Sequence, residues 1–354
     1  MNFFKKPKYK FSKKIGEGAY GTVSAYYDKN GGKVAIKVIK DLDNCCDTIR
    51  ILREIKILKF CTKYSHPNVL SLIDIYLDIY KKNFNTISII TEKGDTDLRE
   101  LMYKYKKNNI QLSEEHYKFI LFQMLSGIKH LHSANIIHRD LKPSNIIINK
   151  DSTIKIIDFG LSRSCDTNMT EYVVTRWYRA PEVVLSPKEY EYKMDIWAIG
   201  CIMAELIIKQ PLFKSDNYIQ LIKLIINILN VSDAHLLKYE FGYKIMKKEK
   251  KEIKKTFSQY FRKKEEKNST NIYEPISDIL FELIESMLTF NHLLRPNSEC
   301  ILNNEYFDQY HYKLEKYKNP PVQFKLDIEQ ENALIESDNI IGIKKLIYNQ
   351  VLDL

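Results

Sequence analysis

Two carboxylates, one amide and one lysine stand close together in the chain, in an order that suits phosphoryl transfer. Asp140 and Lys142 lie in a segment that runs from His138 to Asn145, and Asp158 follows thirteen residues later. The carboxylate of Asp140 can accept the proton of an attacking hydroxyl, and Lys142 can neutralise charge on the phosphoryl group. Asn145 and Asp158 supply oxygen ligands of the kind that Mg²⁺ prefers. This stretch therefore predicts a magnesium-dependent phosphoryl-transfer site.

The segment before these residues has the pattern of a sheet that could hold a chain of phosphates. Residues 9–39 alternate apolar and polar side chains around glycines, which predicts a strand, a tight loop and two further strands. Glycines in such a loop let backbone amides approach phosphates closely. Lys37 ends a Val-Ala-Ile-Lys strand, and apolar residues at helical spacing predict a helix over 48–60 that turns Glu54 toward Lys37.

The elements that follow would carry the chemical residues on a larger helical body. Two more strands, near 69–80 and 86–91, lead through a hinge at 92–94 to a long helix over 114–132, which ends at the catalytic loop. Asp195 opens another apolar helix, where it is expected to cap the helix and to brace the catalytic loop. The sequence therefore predicts a sheet-rich beginning and a helical remainder.

With these motifs in register, residues 9–307 resemble the eukaryotic protein kinase family. The resemblance implies an α+β, bilobal fold, in which a small antiparallel-sheet N-lobe contains one main helix and a larger C-lobe is mainly helical. It places the N-lobe at residues 1–93 and the C-lobe at 94–318, with an insert at about 211–275. A C-terminal extension at 319–354 is expected to pack back on the N-lobe.

The resemblance also implies that the cofactors are ATP and Mg²⁺, and which residues contact them. The catalytic set is Asp140, Lys142, Lys37 and Glu54, and the metal ligands are Asn145 and Asp158. The residues expected to bind ATP lie on the glycine loop, the neighbouring strands and the hinge: Ile15, Gly16, Gly18, Gly21, Val23, Ala35, Lys37, Thr91, Glu92, Gly94 and Asp97. An ion pair between Glu182 and Arg295 is expected within the C-lobe.

The segment from Asp158 to Glu182, here called the activation lip, carries the most discriminating motif of the chain. Thr170, Glu171 and Tyr172 resemble the T-x-Y motif of mitogen-activated protein (MAP) kinases, which is phosphorylated on both hydroxyl-bearing residues. A phosphothreonine carries close to two negative charges and needs a cluster of guanidinium groups to order it. The resemblance assigns Arg50, Arg53, Arg139 and Arg163 to phosphothreonine, and Arg176 and Arg179 to phosphotyrosine.

The T-x-Y motif is shared by kinases similar to the male germ cell-associated and cyclin-dependent-kinase-like groups. The insert and the C-terminal extension favour the MAP kinase family. Glu171 is typical of the extracellular-signal-regulated type, whereas Thr91 and the short spacing between Asp158 and Thr170 are closer to the stress-activated branch. The sequence leaves the subfamily open.

The function that the resemblance implies is a proline-directed protein serine/threonine kinase in a MAP kinase cascade. Its partners would be protein substrates with Ser/Thr-Pro sites, an upstream dual-specificity kinase and phosphatases. A non-catalytic pseudokinase scaffold is the alternative; such proteins typically lose the strand lysine or one of the two aspartates, and this chain keeps Lys37, Asp140 and Asp158. MAP kinases usually carry two acids where basic docking motifs bind, and residues 310–316 offer only Glu315, flanked by lysines.

Charge and hydropathy narrow the remaining partners. The net charge of +10 is concentrated in residues 1–14, which carry +6, and residues 244–267, which carry +7, so the rest of the chain is nearly neutral. The basic runs lack interleaved aromatic residues, which argues against a nucleic-acid partner. The longest apolar runs are far shorter than the roughly 20 residues of a membrane span, so no membrane association is expected. Six scattered cysteines favour reduced thiols in the cytoplasm or nucleus.

Overall fold

A computed structural model describes residues 9–18, 21–77, 84–164, 176–185, 192–232, 256–267 and 275–353. The strands are β1 (Tyr9–Gly18), β2 (Gly21–Asp28), β3 (Lys33–Lys40), β4 (Leu72–Leu77), β5 (Thr86–Glu92), β6 (Thr96–Asp97), β7 (Ile136–Ile137), β8 (Ile146–Ile148), β9 (Ile154–Ile156) and β10 (Arg163–Ser164). The helices are α1 (Cys45–Lys63), α2 (Leu98–Lys107), α3 (Glu114–Ser133), α4 (Pro181–Leu185), α5 (Lys193–Ile208), α6 (Tyr218–Ile228), α7 (Phe257–Lys267), α8 (Asp278–Met287), α9 (Ser298–Leu302), α10 (His311–Lys316), α11 (Ile328–Glu336) and α12 (Ile340–Leu352).

The N-lobe is a five-stranded antiparallel sheet with the strand order β1-β2-β3-β5-β4. Its register places Ala35 of β3 opposite Thr91 of β5, and Lys37 opposite Val23 of β2. Directly opposite residues of an antiparallel pair share one face, and side chains two apart on a strand do too. Val23, Ala35, Lys37 and Thr91 therefore lie on the same face of the sheet.

Helix α1 packs on this sheet and starts three residues earlier than the sequence pattern indicated. The side chain of Asn44 accepts a hydrogen bond from the backbone N–H of Asp47 at 3.0 Å, which caps the first turn. Ile49, Leu52 and Ile55 are fully buried against the sheet and belong to the main hydrophobic core. The core face and the cap together fix where α1 lies relative to β3.

The C-lobe is built around helices α3, α5 and α8. Trp197 of α5 stacks on Phe213 with ring centroids 5.7 Å apart, and both side chains are fully buried. The Arg295 guanidinium binds the Glu182 carboxylate at 2.7 and 3.0 Å, and both residues are about 1% exposed, so this expected ion pair is present. Among the described residues, no helix is long and apolar enough to cross a membrane.

The last two helices, α11 and α12, lie against α1 rather than against the C-lobe core. The Lys59 ammonium of α1 donates to the carbonyl oxygen of Gln350 in α12 at 2.7 Å. The chain reaches them by way of Phe324, whose N–H binds the Ala134 carbonyl at 2.7 Å and whose ring contacts Phe60. The end of the chain therefore returns along the outer face of α1. Residues 244–255, the first half of the basic 244–267 run, lie outside the described residues.

Candidate active site between the lobes

A lysine of the sheet and a glutamate of α1 form the pair that the motifs predicted. The Lys37 ammonium binds both carboxylate oxygens of Glu54, at 2.7 and 2.8 Å, and lies 4.0 Å from Asp158 Oδ1. Burial raises the pKa of Glu54, while the charge of Lys37 lowers it and that of Asp158 raises it further. The ion pair links β3 and α1 to the segment that begins the activation lip.

Two side chains of the catalytic loop, residues 138–145, converge on the carboxylate of Asp140. Lys142 Nζ lies 2.6 Å from Asp140 Oδ2, and Asn145 Nδ2 donates to the same oxygen at 3.1 Å and to the Asp140 carbonyl at 2.9 Å. Burial raises the pKa of Asp140 above its ordinary value, although Lys142 opposes this shift. A carboxylate of raised pKa that stands beside a lysine suits the role of a general base near a transferred anion.

The backbone of this loop is held by Asp195 of α5. Asp195 accepts hydrogen bonds from the backbone N–H groups of His138 at 2.8 Å and Arg139 at 2.9 Å, and its Oδ2 lies 3.0 Å from His132 Nε2. Burial alone would raise its pKa, but the bond with His132 and the backbone donors lower it below the ordinary value. Asp195 thus braces the loop, as expected. The expectation that it also caps α5 is wrong, because Tyr192 holds that position.

Asp158 has the properties of a cation ligand. Partial burial would raise its pKa, but the charges of Lys37 and other nearby groups outweigh it and lower the pKa, so the carboxylate is ionised at neutral pH. Asn145 uses its amide nitrogen on Asp140, and its amide oxygen accepts no hydrogen bond from the described residues. An ionised carboxylate and an uncommitted amide oxygen fit Mg²⁺, a hard cation that prefers oxygen ligands.

The glycine-rich turn joins β1 to β2, and its glycines differ in what they do. Gly21 has φ of +147°, and a Cβ atom there would lie 2.1 Å from the Val38 carbonyl oxygen, so no side chain fits. A Cβ atom at Gly16 would meet nothing within 4 Å. Gly18 pairs with Gly21 in the register of the hairpin, whose tip at residues 19–20 lies outside the described residues. Ile15 is 48% exposed on β1.

The hinge follows β5 and is fixed by side-chain contacts of its own residues. The Glu92 carboxylate binds Lys155 at 3.1 Å and the backbone N–H of Ser71 at 3.3 Å. A Cβ atom at Gly94 would lie 3.0 Å from the side chain of Ile147 in β8, so the hinge passes close to the C-lobe sheet. Asp97 caps α2 by accepting from the N–H of Glu100 at 2.8 Å. Sequence patterns indicated these positions but not these contacts.

Thr91 gives a direct test of where the adenine pocket ends. Its half-buried side chain shares a sheet face with Ala35 and Lys37. We expect Thr91→Met to weaken inhibitors that carry an aryl group behind the adenine position by about ten- to a hundredfold, since overpacking costs roughly 1–3 kcal/mol. Thr91→Val keeps the volume and should retain their affinity. Equal dissociation constants for all three proteins, measured by calorimetry, would place Thr91 outside the pocket.

The two arginines of α1 that were expected to bind phosphothreonine form ion pairs with two different carboxylates in the structure. Arg50 Nη1 binds the Asp47 carboxylate at 2.7 Å, within the same helix. Arg53 Nε binds Glu331 of α11 at 2.6 Å. Arg139 is on the catalytic loop with φ of +70°, and Arg163 pairs its backbone with Ile137. Within the part of the chain that the structure describes, Arg50 and Arg53 thus have separate carboxylate partners, and the assignment of the four arginines to phosphothreonine stays a prediction.

The two arginines that were expected to bind phosphotyrosine lie around a tyrosine of α6 in the structure. Arg176 and Arg179 lie over the Tyr218 ring, at 5.1 and 5.5 Å from its centroid. Arg179 also donates to the Tyr218 hydroxyl, and Arg176 donates to the Asp216 carbonyl. Thr170 and Tyr172 lie outside the described residues, so their phosphorylation remains a prediction.

Several contacts of the site were not foreseen from the sequence. No sequence motif marks Glu331, Lys155 beside the hinge or His132 beneath the catalytic loop as a residue of the site. A carboxylate in a C-terminal helix has no motif that ties it to Arg53, which precedes it by 278 positions. A period-3.6 pattern could have placed Glu331 on a helix, but no local signal identifies its partner.

Comparison with known proteins agrees with this geometry. A sequence model of the protein kinase domain matches residues 9–307. The fold and the site together therefore define a protein kinase, with a sheet-based N-lobe, a helical C-lobe and the candidate active site between them.

Relatives that match over nearly the whole of this chain identify the family within this class. The chain is 35% identical to a mitogen-activated protein kinase of Fusarium vanettenii, in a match that covers 96% of this chain and 92% of the relative. It is 37% identical to mitogen-activated protein kinase 6 of Oryza sativa subsp. japonica, over 96% and 85% of the two chains. It is 38% identical to extracellular signal-regulated kinase 1 of Dictyostelium discoideum, over 98% and 62%. The chain belongs to the MAP kinase family and is a serine/threonine protein kinase.

Proposed function

We propose that this chain is a proline-directed kinase of a MAP kinase cascade, activated by phosphorylation of both Thr170 and Tyr172. The observation that carries the proposal is the continuous set of contacts from Glu54 through Lys37 to Asp158, at 2.7 and 4.0 Å. These contacts join the N-lobe helix, the sheet and the start of the activation lip, which is the arrangement that phosphoryl transfer from a nucleotide needs. The T-x-Y motif and the family membership support the regulation and the proline preference.

Each residue of the proposed site has its own role in phosphoryl transfer. Lys37, fixed by Glu54, orients the phosphates of the nucleotide under the glycine-rich turn. Asp140 accepts the proton of the substrate hydroxyl, and Lys142 at 2.6 Å from it balances the charge that accumulates beside it. Protein kinases use ATP and Mg²⁺, and the bound metal neutralises charge on the phosphates. Asn145 and Asp158 would hold that metal.

The nucleotide base would lie against the face of the N-lobe sheet that carries Val23, Ala35 and Thr91. The backbone of Glu92 and the following hinge residues would meet its polar edge, since the Glu92 side chain is occupied by Lys155. Asp97 stands at the start of α2, where it would reach the ribose. The remaining contacts proposed for ATP are those of Ile15 and of the glycine-rich turn.

The partners we propose are substrates with Ser/Thr-Pro sites, an upstream dual-specificity kinase and phosphatases, in the cytoplasm or the nucleus. Basic docking peptides should bind weakly at α10, because Glu315 is exposed there between lysines and exposed ion pairs contribute only about 0.2–1 kcal/mol each. Lys313 of this helix lies over the Phe119 ring at 4.7 Å. A partner would therefore meet a surface of mixed charge and aromatic rings.

A peptide assay tests the proposal directly. Protein treated with an activating dual-specificity kinase should transfer phosphate from MgATP to a peptide with a Thr-Pro site. The matched peptide with Thr-Ala should have a kcat/KM lower by about a hundredfold, because the substrate pocket would be shaped for proline. Equal values for the two peptides would remove the proline preference, and no transfer to either would remove the proposed mechanism.

A further inference from the structure

Glu331 is a fully buried carboxylate that lies at the contact between the C-terminal extension and α1. Its side chain is 0% exposed, and it binds two cations of α1: Arg53 Nε to Oε2 at 2.6 Å and Lys56 Nζ to Oε1 at 3.2 Å. Both cations are largely buried as well, with side-chain exposures of 8% and 16%. A buried carboxylate is costly unless cations pair with it. Glu331 is therefore stable only where Arg53 and Lys56 of α1 meet it.

The residues that Glu331 holds are adjacent in sequence to Glu54. Successive residues of an α-helix are about 100° apart, so Arg53, Lys56 and Lys59 lie along one stripe, and Glu54 projects from the neighbouring face. Lys59 continues the stripe by binding the Gln350 carbonyl of α12 at 2.7 Å. If α1 turned about its axis or swung away from the sheet, the contact with Glu331 and the contact of Glu54 with Lys37 would both change.

Charge distinguishes Glu331 from the other contacts of the extension. Gln350 offers a backbone carbonyl, and Lys344 of α12 donates to Asn85 at 2.6 Å, outside α1. Within the described residues, Glu331 is the carboxylate of the extension that forms ion pairs with α1. The Nη groups of Arg53 make no hydrogen bond to the described residues, so the guanidinium is held by its Nε edge.

We propose that Glu331 is a positioning residue for phosphoryl transfer, which sets the orientation of α1 at which Glu54 meets Lys37. This inference rests on the proposed function, since it assigns Glu331 to the same site. Glu331 fixes the guanidinium of Arg53 by its Nε and the ammonium of Lys56 by its Nζ, so it holds one side of α1 at two points. The C-terminal extension thereby adds a charged contact to the apolar packing that holds α1 against the sheet.

A double-mutant cycle tests the inference in the full-length, doubly phosphorylated protein. Glu331→Gln keeps the shape and removes the charge, and we expect kcat to fall about tenfold, because a misplaced Lys37 costs rate, with the KM for protein substrate unchanged within about twofold. In the Glu54→Gln background the same substitution should change kcat by less than about twofold, since the two residues act through one ion pair. Additive losses, or unchanged kcat with a lower melting temperature, would overturn the proposal.

The control substitution is Glu336→Gln, on the exposed side of the same helix, which should leave kcat unchanged. Thermal melting shows whether Glu331→Gln folds. If it does not, the same cycle is run with Lys56→Met, which removes one partner of Glu331, and additivity with Glu54→Gln there would refute the proposal. Full activity of Glu54→Gln by itself would instead contradict the proposed site, so the two failures are distinguishable.

Discussion

Asp140→Asn is expected to lower kcat by about a thousandfold while the protein stays folded. The asparagine keeps the shape of the side chain but cannot accept a proton at neutral pH, and general base catalysis contributes about 10²–10⁴ in rate. The loop should keep its conformation, because Asp195 holds the backbone N–H groups of His138 and Arg139. Steady-state kinetics with a Ser/Thr-Pro peptide measure the loss.

Asp158→Ala should cost at least as much, since it removes a proposed metal ligand that lies 4.0 Å from Lys37. Asp151→Asn is the matched control: this aspartate is exposed in the turn between β8 and β9, and its substitution should leave kcat unchanged.

The pKa of Asp140 is raised above 3.8, the ordinary value for an aspartate. We therefore expect the acidic limb of the pH–rate profile, where Asp140 becomes protonated, to lie above pH 3.8. Retained turnover in Asp140→Asn would remove it from the role of base.

Thr170→Ala and Tyr172→Phe should each lower activity by about a hundredfold after treatment with an activating dual-specificity kinase. We assume that the active conformation of the lip is populated at about 1% without the phosphates and predominates when both are present. Loss of either phosphate then returns the active conformation to about 1%. A phosphate at Thr170 must draw Arg50 from Asp47 and meet Arg53 beside Glu331, which it can do through charge-assisted hydrogen bonds. The double mutant should be little worse than either single one, because both phosphates act on one ordered state.

Initial rates of the wild type before and after phosphatase treatment provide the control for this switch. A wild type that keeps full activity when dephosphorylated would contradict it.

Arg176→Ala is expected to lower activity as Tyr172→Phe does if Arg176 leaves the Tyr218 ring to bind the phosphate of Tyr172. A wild-type rate in Arg176→Ala would show that the arrangement around Tyr218 is instead the working one.

The candidate active-site residues could be predicted from the sequence because each stands in a short motif with fixed spacing. Lys37 and Glu54 are an example: a strand pattern fixes the direction of one side chain, and a helical pattern fixes that of the other. Both are determined by backbone geometry over a few residues. The ion pair between Glu182 and Arg295 was foreseen from the family resemblance, and the structure shows it at 2.7 Å.

Other predictions depended on packing that no local pattern encodes. Of the two roles expected for Asp195, the bracing of the catalytic loop is confirmed by its bonds to the N–H groups of His138 and Arg139, whereas Tyr192 holds the cap position of α5. The binding of Arg50 and Arg53 to one phosphate stays a prediction, and no local pattern indicated the separate carboxylates, Asp47 and Glu331, that they contact in the structure. The start of α1 was placed three residues too late, because Asn44 extends the helix by capping it.

The sequence by itself determined the candidate site residues, the bilobal fold and the kinase family, since these follow from spacing along the chain and from side-chain type. Only the tertiary structure decided which charges meet. Glu331 and Arg53 are 278 positions apart, and they pair because the C-terminal helices bury one face of α1 and leave a carboxylate there without water. A buried charge must find a partner where the fold places it, and that position is set by packing across the whole molecule.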